Sequence, residues 1–251
     1  MSHGAYLIPL RVLIVDDELG QQTAAGRATR ELVQELRRRD IEVVESTSTA
    51  DGIAIIQSDP GLQCVILDWC LDDDDPTTHA GAKLLLSTLR SRNTKVPVFI
   101  ATERSHAPDI PASTLQLTDE LIWMLEDTTF FIGGRIQTAI ERYRSEIMPP
   151  FNRALMEFAR VYEYSWHTPG HTGGTAFLKS PVGRAFYSYF GENLLRSDLS
   201  ISVGELGSLL DHSGPIGESE AYAARIFGAT RSYSVTNGSS TSNRVIFMAC
   251  V

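Results

Sequence analysis

The run VLIVDDE at residues 12–18 joins four apolar residues to three acidic ones. A short apolar run that ends in polar residues is typical of a buried strand, and the acidic residues would mark its carboxyl end. Residues 23–39 follow with apolar side chains at helical spacing, so one face of a helix would be apolar. The stretch therefore predicts a strand followed by a helix, the first repeat of an α/β fold.

The same alternation continues to about residue 150, where Pro149-Pro150 ends it. Further strands are predicted at 41–46, 64–67, 96–101 and 121–125, and further helices at 50–57, 80–90 and 128–147. Five strand–helix repeats favour a doubly wound parallel sheet.

Polar side chains stand at the carboxyl ends of these predicted strands: Asp16, Asp17, Asp68 and Thr102. Groups at the carboxyl ends of neighbouring parallel strands meet in one crevice. The set resembles the response-regulator receiver domain, in which acidic residues hold Mg²⁺, an aspartate accepts a phosphoryl group and a Thr or Ser senses it. One hypothesis is therefore a receiver-like signalling or interaction protein that is phosphorylated on Asp68, with a metal site at Asp16, Asp17 and Asp68.

A lysine that receivers share is missing from this pattern. Receivers resemble one another in a lysine just after the fifth strand, but residues 121–147 contain none, and the chain's lysines are Lys83, Lys95 and Lys179. We therefore favour a receiver-like fold that is kept for structure. The acidic run Asp72–Asp75 is most simply a solvated loop, with cation binding as the alternative.

Charge divides the chain near residue 150. Residues 1–150 carry 14 Lys and Arg against 23 Asp and Glu, whereas residues 151–251 carry 8 of each, so the first part holds the whole net charge of −9. A phosphate backbone requires a basic face, so nucleic acid is not expected as a partner of the first part. The change in composition supports a domain boundary at this point.

Composition also indicates the compartment. No apolar run is long enough to span a bilayer, and residues 1–18 lack the pattern of a secretory signal, so we expect a cytoplasmic protein without membrane contact. Cys64, Cys70 and Cys250 lack the spacing of a disulfide framework or a zinc site, which favours reduced thiols.

The amino-acid composition changes after a helix predicted at 151–162. Residues 164–175, YSWHTPGHTGGT, are too rich in Gly and Pro for regular structure, and Pro169-Gly170 prevents His167 and His171 from sharing a helix face as metal ligands. We expect this segment to line a pocket or a subunit contact, without a metal.

Residues 232–249, SYSVTNGSSTSNRVIFMA, predict a short strand that breaks at Asn237-Gly238 and restarts as a hydroxyl-rich helix. The free N–H groups and the positive dipole end of a helix favour an anion. The stretch therefore predicts a phosphate-bearing ligand, although Ser and Thr are also ordinary helix caps.

Residues 151–251 contain, in order, TPGH, SPVG, FGEN, SDxS, LGSLLDH, EAYAARxFGA and NGSST. This series resembles the bacterial Orn/Lys/Arg decarboxylases of the pyridoxal-phosphate type, in the inducible lysine and biodegradative arginine decarboxylase group. The resemblance implies a receiver- or flavodoxin-like wing domain at 1–148, a helical linker at 149–175, and the start of a fold-type-I transferase-like major domain at 176–251.

The resemblance also implies the site and its limits. Gly238, Ser239, Ser240 and Thr241 match the turn that grips the phosphate of pyridoxal 5'-phosphate. The lysine that forms the Schiff base would lie beyond Val251, so we expect a partial cofactor site, no catalytic residue in this chain and no activity from it alone. No role is implied for Asp198, Glu205, Asp211 and His212, which we expect to be caps, turns and subunit contacts.

The parent activity implied is decarboxylation of lysine or arginine to the amine and CO₂, which consumes a proton and opposes acid stress. The implied partners are a small basic amino acid as substrate and further copies of the chain, which would assemble through the wing domain and the linker.

Overall fold

The computed structural model describes residues 9–71, 78–161, 169–200 and 203–250. The chain divides into two compact units, which we call unit 1 (residues 1–146) and unit 2 (residues 147–251). The acidic run Asp72–Asp75 and His167 lie outside the described residues.

Unit 1 is built on a five-stranded parallel sheet with strand order 2-1-3-4-5. This order is that of the flavodoxin-like doubly wound sheets, so the predicted fold class is confirmed. The strands are β1 (Leu10–Val15), β2 (Ile41–Ser46), β3 (Cys64–Asp68), β4 (Val98–Thr102) and β5 (Glu120–Trp123).

Helices connect the strands, and local sequence sets their ends. Thr23 caps the first helix, because its Oγ1 accepts a hydrogen bond from Gly26 N at 3.0 Å, and Ser48 caps the second in the same way. The helices are α1 (Ala24–Arg38), α2 (Thr49–Ser58), α3 (Ala80–Arg92), α4 (Ala112–Leu115) and α5 (Thr129–Ile147). The sequence analysis missed α4 and the 3-10 turn at Arg104–Asp109 that precedes it.

The sheet of unit 1 is buried on both faces. Alternate residues of β1 point to opposite sides, so Val12 and Ile14 join one apolar cluster with α1 and α5, while Leu13 and Val15 join another with α2 and α3. Packing on both faces holds the carboxyl ends of the strands in place along one edge of the sheet.

Unit 2 contains helices α6 (Pro150–Val161), α7 (Pro181–Phe190), α8 (Glu192–Arg196), α9 (Gly214–Ile226) and α10 (Gly238–Cys250). Helix α6 lies in the segment that the sequence analysis expects to be a linker. It packs on α9, and Phe151 N donates to Ser219 Oγ at 2.7 Å. The helix is therefore a structural part of unit 2.

The strand predicted at the start of residues 232–249 is wrong. Residues 231–235 have no regular structure, and the described part of unit 2 offers only an isolated bridge between Ser208 and Ser213. A strand needs a neighbour to pair its backbone groups, and no strand lies beside this segment among the described residues.

Candidate functional site

The turn at residues 237–241 opens α10. Gly238 adopts a φ of +79°, and nothing lies within 4 Å of the position that a Cβ would take there. Glycine reaches positive φ without steric strain, so this residue suits the turn. The turn leaves open space beside the helix N-terminus.

The hydroxyl groups of the turn fall into two kinds. Thr241 Oγ1 donates to Asn237 O and Ser242 Oγ donates to Gly238 O, both at 3.3 Å. Ser239 and Ser240 are exposed. Because the first N–H groups of a helix lack partners within it, the turn presents N–H and hydroxyl donors together to an anion.

Helix α10 has no buried residue. Ser240, Arg244 and Phe247 lie at helical spacing along one side and line an open groove. A cation and an aromatic ring therefore stand on the same side of the helix as one of the predicted phosphate-binding hydroxyls.

A buried carboxylate stands upstream of this turn. Glu220 Oε1 accepts from Ser234 N at 2.7 Å, and Glu220 Oε2 lies 2.8 Å from His212 Nδ1. Burial alone would raise the pKa of Glu220, but the Ser234 N–H and His212 outweigh it and hold the pKa below its usual range. The sequence analysis left His212 without a role and did not single out Glu220.

His171 pairs with Asp198 within unit 2. His171 Nδ1 accepts from Gly174 N at 3.1 Å, so Nε2 carries the proton and donates to Asp198 Oδ2 at 2.9 Å. The ring also stacks on Phe177.

Asp211 accepts from Ser208 Oγ, and Glu205 is exposed in a short 3-10 turn. These contacts fix loops, in keeping with the expected caps and turns.

The acidic residues of unit 1 meet at the carboxyl edge of the sheet, as predicted. Carboxylate oxygens of Asp16, Asp17 and Asp68 all lie within 4.8 Å of one another. Asp16 is buried and accepts from Thr29 Oγ1 at 2.6 Å and from Glu18 N at 2.8 Å. Oxygen ligands of this kind suit a hard divalent cation.

Asp68 is unfavourably placed for ionisation. Burial, followed by the negative charge of Asp16, raises the pKa of Asp68 from 3.8 to about 7. The carboxylate borders a cavity of about 210 Å³ that also contains Thr102, with Met124 and Leu125 after β5. No lysine or arginine lines this cavity among the described residues. The described lining of the crevice therefore combines the acidic set of a receiver with His106, and it has neither a lysine nor an arginine to pair with a phosphoryl oxygen.

Two protein-family descriptions match the chain, one in each unit. The family description "Orn/Lys/Arg decarboxylase, N-terminal domain" matches residues 24–143, and "Orn/Lys/Arg decarboxylase, major domain" matches residues 149–251. The chain belongs to the Orn/Lys/Arg decarboxylase family, whose members are amino acid decarboxylases.

Individual relatives show how much of such a protein the chain represents. The chain is 44% identical over 244 residues to the biodegradative arginine decarboxylase of Escherichia coli K12, a match that covers 96% of this chain and 32% of the relative. It is 38% identical over 243 residues to lysine decarboxylase LdcA of Pseudomonas aeruginosa, with the same coverage of 96% and 32%. The chain thus spans about a third of the length of these relatives.

The chain is also similar to a solved structure. Lysine decarboxylase A from Pseudomonas aeruginosa matches with a TM-score of 0.84 at 38% identity, over 95% of this chain and 32% of that one.

Among the described helices, none combines the length and the apolar composition needed to cross a membrane.

Proposed function

We propose that the chain supplies the wing domain and the phosphate-gripping turn of a pyridoxal-phosphate-dependent decarboxylase that acts on lysine or arginine. The observation that carries the proposal is the turn at residues 237–241, where a glycine at positive φ opens a helix with free donors. Family membership supports the same conclusion, because the turn lies in the part that matches the major domain.

The turn's residues fit a phosphate monoester. Gly238 allows close approach of the backbone, Ser239 and Ser240 expose hydroxyl donors, and Thr241 contributes its backbone N–H in the first turn of α10. When bound, pyridoxal phosphate accepts the electrons that remain on the amino acid as CO₂ leaves. The role of this chain's residues would be to bind the phosphate and so to orient the cofactor.

The 251 residues alone would not decarboxylate. Lys83 and Lys95 lie in unit 1, and Lys179 ends an exposed 3-10 turn ahead of α7, so none belongs to the turn that we assign to the phosphate. We propose that the lysine that bonds the cofactor is contributed by sequence outside these residues.

We also propose assembly of a cytoplasmic homo-oligomer through the wing domain, residues 1–148, and the linker segment, residues 149–175. Phe130 and Phe131 are 72% and 55% exposed at the start of α5, and they line an open pocket together with Glu120 of the edge strand β5. Exposed aromatic side chains of this kind are enriched at protein interfaces.

An amide-resolved NMR titration tests the phosphate assignment. Pyridoxine 5'-phosphate is compared with pyridoxine, because neither has an aldehyde that could react with a surface lysine. We expect saturable shifts at the amides of 239–241 with the phosphate ester alone. Removing two hydroxyl donors in Ser239→Ala/Ser240→Ala should weaken binding by about fivefold to tenfold.

Ser91→Ala, which removes an exposed helical hydroxyl from unit 1, is the matched control and should bind as the wild type does. Equal shifts with pyridoxine, or no saturable shift at these amides, would show that the serines only cap α10.

A further inference from the structure

Glu220 occupies a position where a charged side chain is costly. The buried face of α9 consists of Ile216, Glu220 and Ala224, spaced four residues apart, and Glu220 is 7% exposed. A carboxylate is retained at such a site only when polar partners replace the water that it loses. The partners of Glu220 therefore indicate what the residue does.

Both oxygens of Glu220 are used, and one of them reaches the chain that leads into the phosphate turn. Oε1 accepts from Ser234 N at 2.7 Å, and Ser234 lies four residues before Gly238. Residues 231–235 have no regular structure, so no helix or strand ladder holds them. The hydrogen bond to Glu220 is thus a specific tie between α9 and the approach to the turn.

His212 completes the cluster from a loop that is itself tightly built. Its Nδ1 lies 2.8 Å from Glu220 Oε2, and its ring meets the edge of Tyr233, with 5.3 Å between centroids. Ser208 and Ser213 exchange backbone hydrogen bonds across the loop. A Cβ on Gly217 would lie 2.1 Å from His212 O, so this backbone is pressed against the start of α9.

We propose that Glu220 and His212 are positioning residues for the phosphate turn. Glu220 holds the backbone of Ser234, His212 orients the Glu220 carboxylate and packs on Tyr233, and together they direct residues 234–238 into α10. Neither residue contacts the phosphate. The inference rests on the proposed function, since it assigns these residues to the same turn.

The test measures phosphate binding and local order in the same samples. Glu220→Ala, Glu220→Gln and His212→Ala are titrated with pyridoxine 5'-phosphate and with pyridoxine, and shifts are followed at the amides of 234 and 239–241. Glu218→Ala removes an exposed carboxylate from the same helix and is the matched control. Thermal unfolding and the amides of α9 report whether each variant keeps its fold.

We expect Glu220→Ala to move the Ser234 amide signal upfield and to weaken phosphate-ester binding by about tenfold, as for the loss of a charge-assisted hydrogen bond. Glu220→Gln keeps a carbonyl acceptor for Ser234 N and should recover most of the affinity. His212→Ala should fall between Glu220→Ala and the wild type, and Glu218→Ala should match the wild type.

Binding within about twofold of the wild type in a folded Glu220→Ala would overturn the positioning role while leaving the phosphate turn in place. If Glu220→Ala does not fold, His212→Ala decides, and a folded His212→Ala that binds the phosphate ester within about twofold of the wild type contradicts the role. A wild type that does not distinguish the two ligands refutes the proposed function, and this inference with it.

Discussion

In unit 1 helices cover both faces of a five-stranded sheet, whereas in unit 2 short helices pack with no strand among the described residues. Among the residues that the structure describes, the largest fully buried side chains, such as Trp69 and Phe99, all belong to unit 1. A sheet satisfies its backbone hydrogen bonds and buries two apolar faces at once, so unit 1 carries its own core.

Helix α10 of unit 2, in contrast, has no buried residue. Val245, Ile246, Phe247 and Met248 are all exposed, although each is apolar. Large contiguous apolar surfaces of this kind usually mark contacts with other protein. The stability of unit 2, which contains the proposed phosphate turn, therefore depends less on its own packing than the stability of unit 1, which contains the acidic crevice.

The largest expected contrast compares one aromatic residue in each unit. Phe99 is 1% exposed in β4, and Phe99→Ala should lower the free energy of unfolding by about 3–5 kcal/mol. Phe247 is 71% exposed in α10, and Phe247→Ala should change it by no more than about 0.5 kcal/mol. Urea unfolding followed by circular dichroism measures both, and equal losses would contradict the comparison.

The next effect, of similar size at most, is expected from Asp68 and should depend on pH. The folded pKa of about 7 lies above the usual 3.8, so the folded state binds more protons in this window and its stability falls as pH rises through it. Asp68→Asn should therefore be more stable than the wild type at pH 8, by up to about 4 kcal/mol, and the difference should vanish near pH 4.

Urea unfolding in the presence of EDTA at the two pH values measures this difference. Asp109→Asn, at an exposed carboxylate of unit 1, is the control and should show no such change. A stabilisation of Asp68→Asn that is the same at both pH values would refute the burial of an uncompensated charge.

Sequence patterns predicted the strands and helices of unit 1 well where the hydrophobic periodicity and the length of a segment indicated the same kind of element. Strand β2, at Ile41–Ser46, has the predicted bounds, and Ile41, Glu42 and Val43 alternate between buried and exposed as their sequence does. Residues 104–115 were missed because Pro108 and Pro111 interrupt any helical repeat, so the turns there are short.

In unit 2 local sequence was a weaker guide. Tyr233, Val235 and Thr236 favour a strand because they are aromatic or β-branched, but pairing depends on neighbours that the sequence of the segment does not specify. The turn at Gly238 was predicted because glycine and hydroxyl residues act locally. Glu220 was missed, although a signal existed: it shares a four-residue spacing with Ile216 and Ala224 on the buried face of α9.

Amide hydrogen exchange across the 251-residue chain tests the central contrast most directly. Exchange in β1, β3 and β4 requires opening of the doubly covered sheet, so we predict protection at least about a thousandfold greater there than in α10. Fast exchange throughout α10 beside slow exchange in the strands would support the account. Uniformly slow exchange across both units would contradict it.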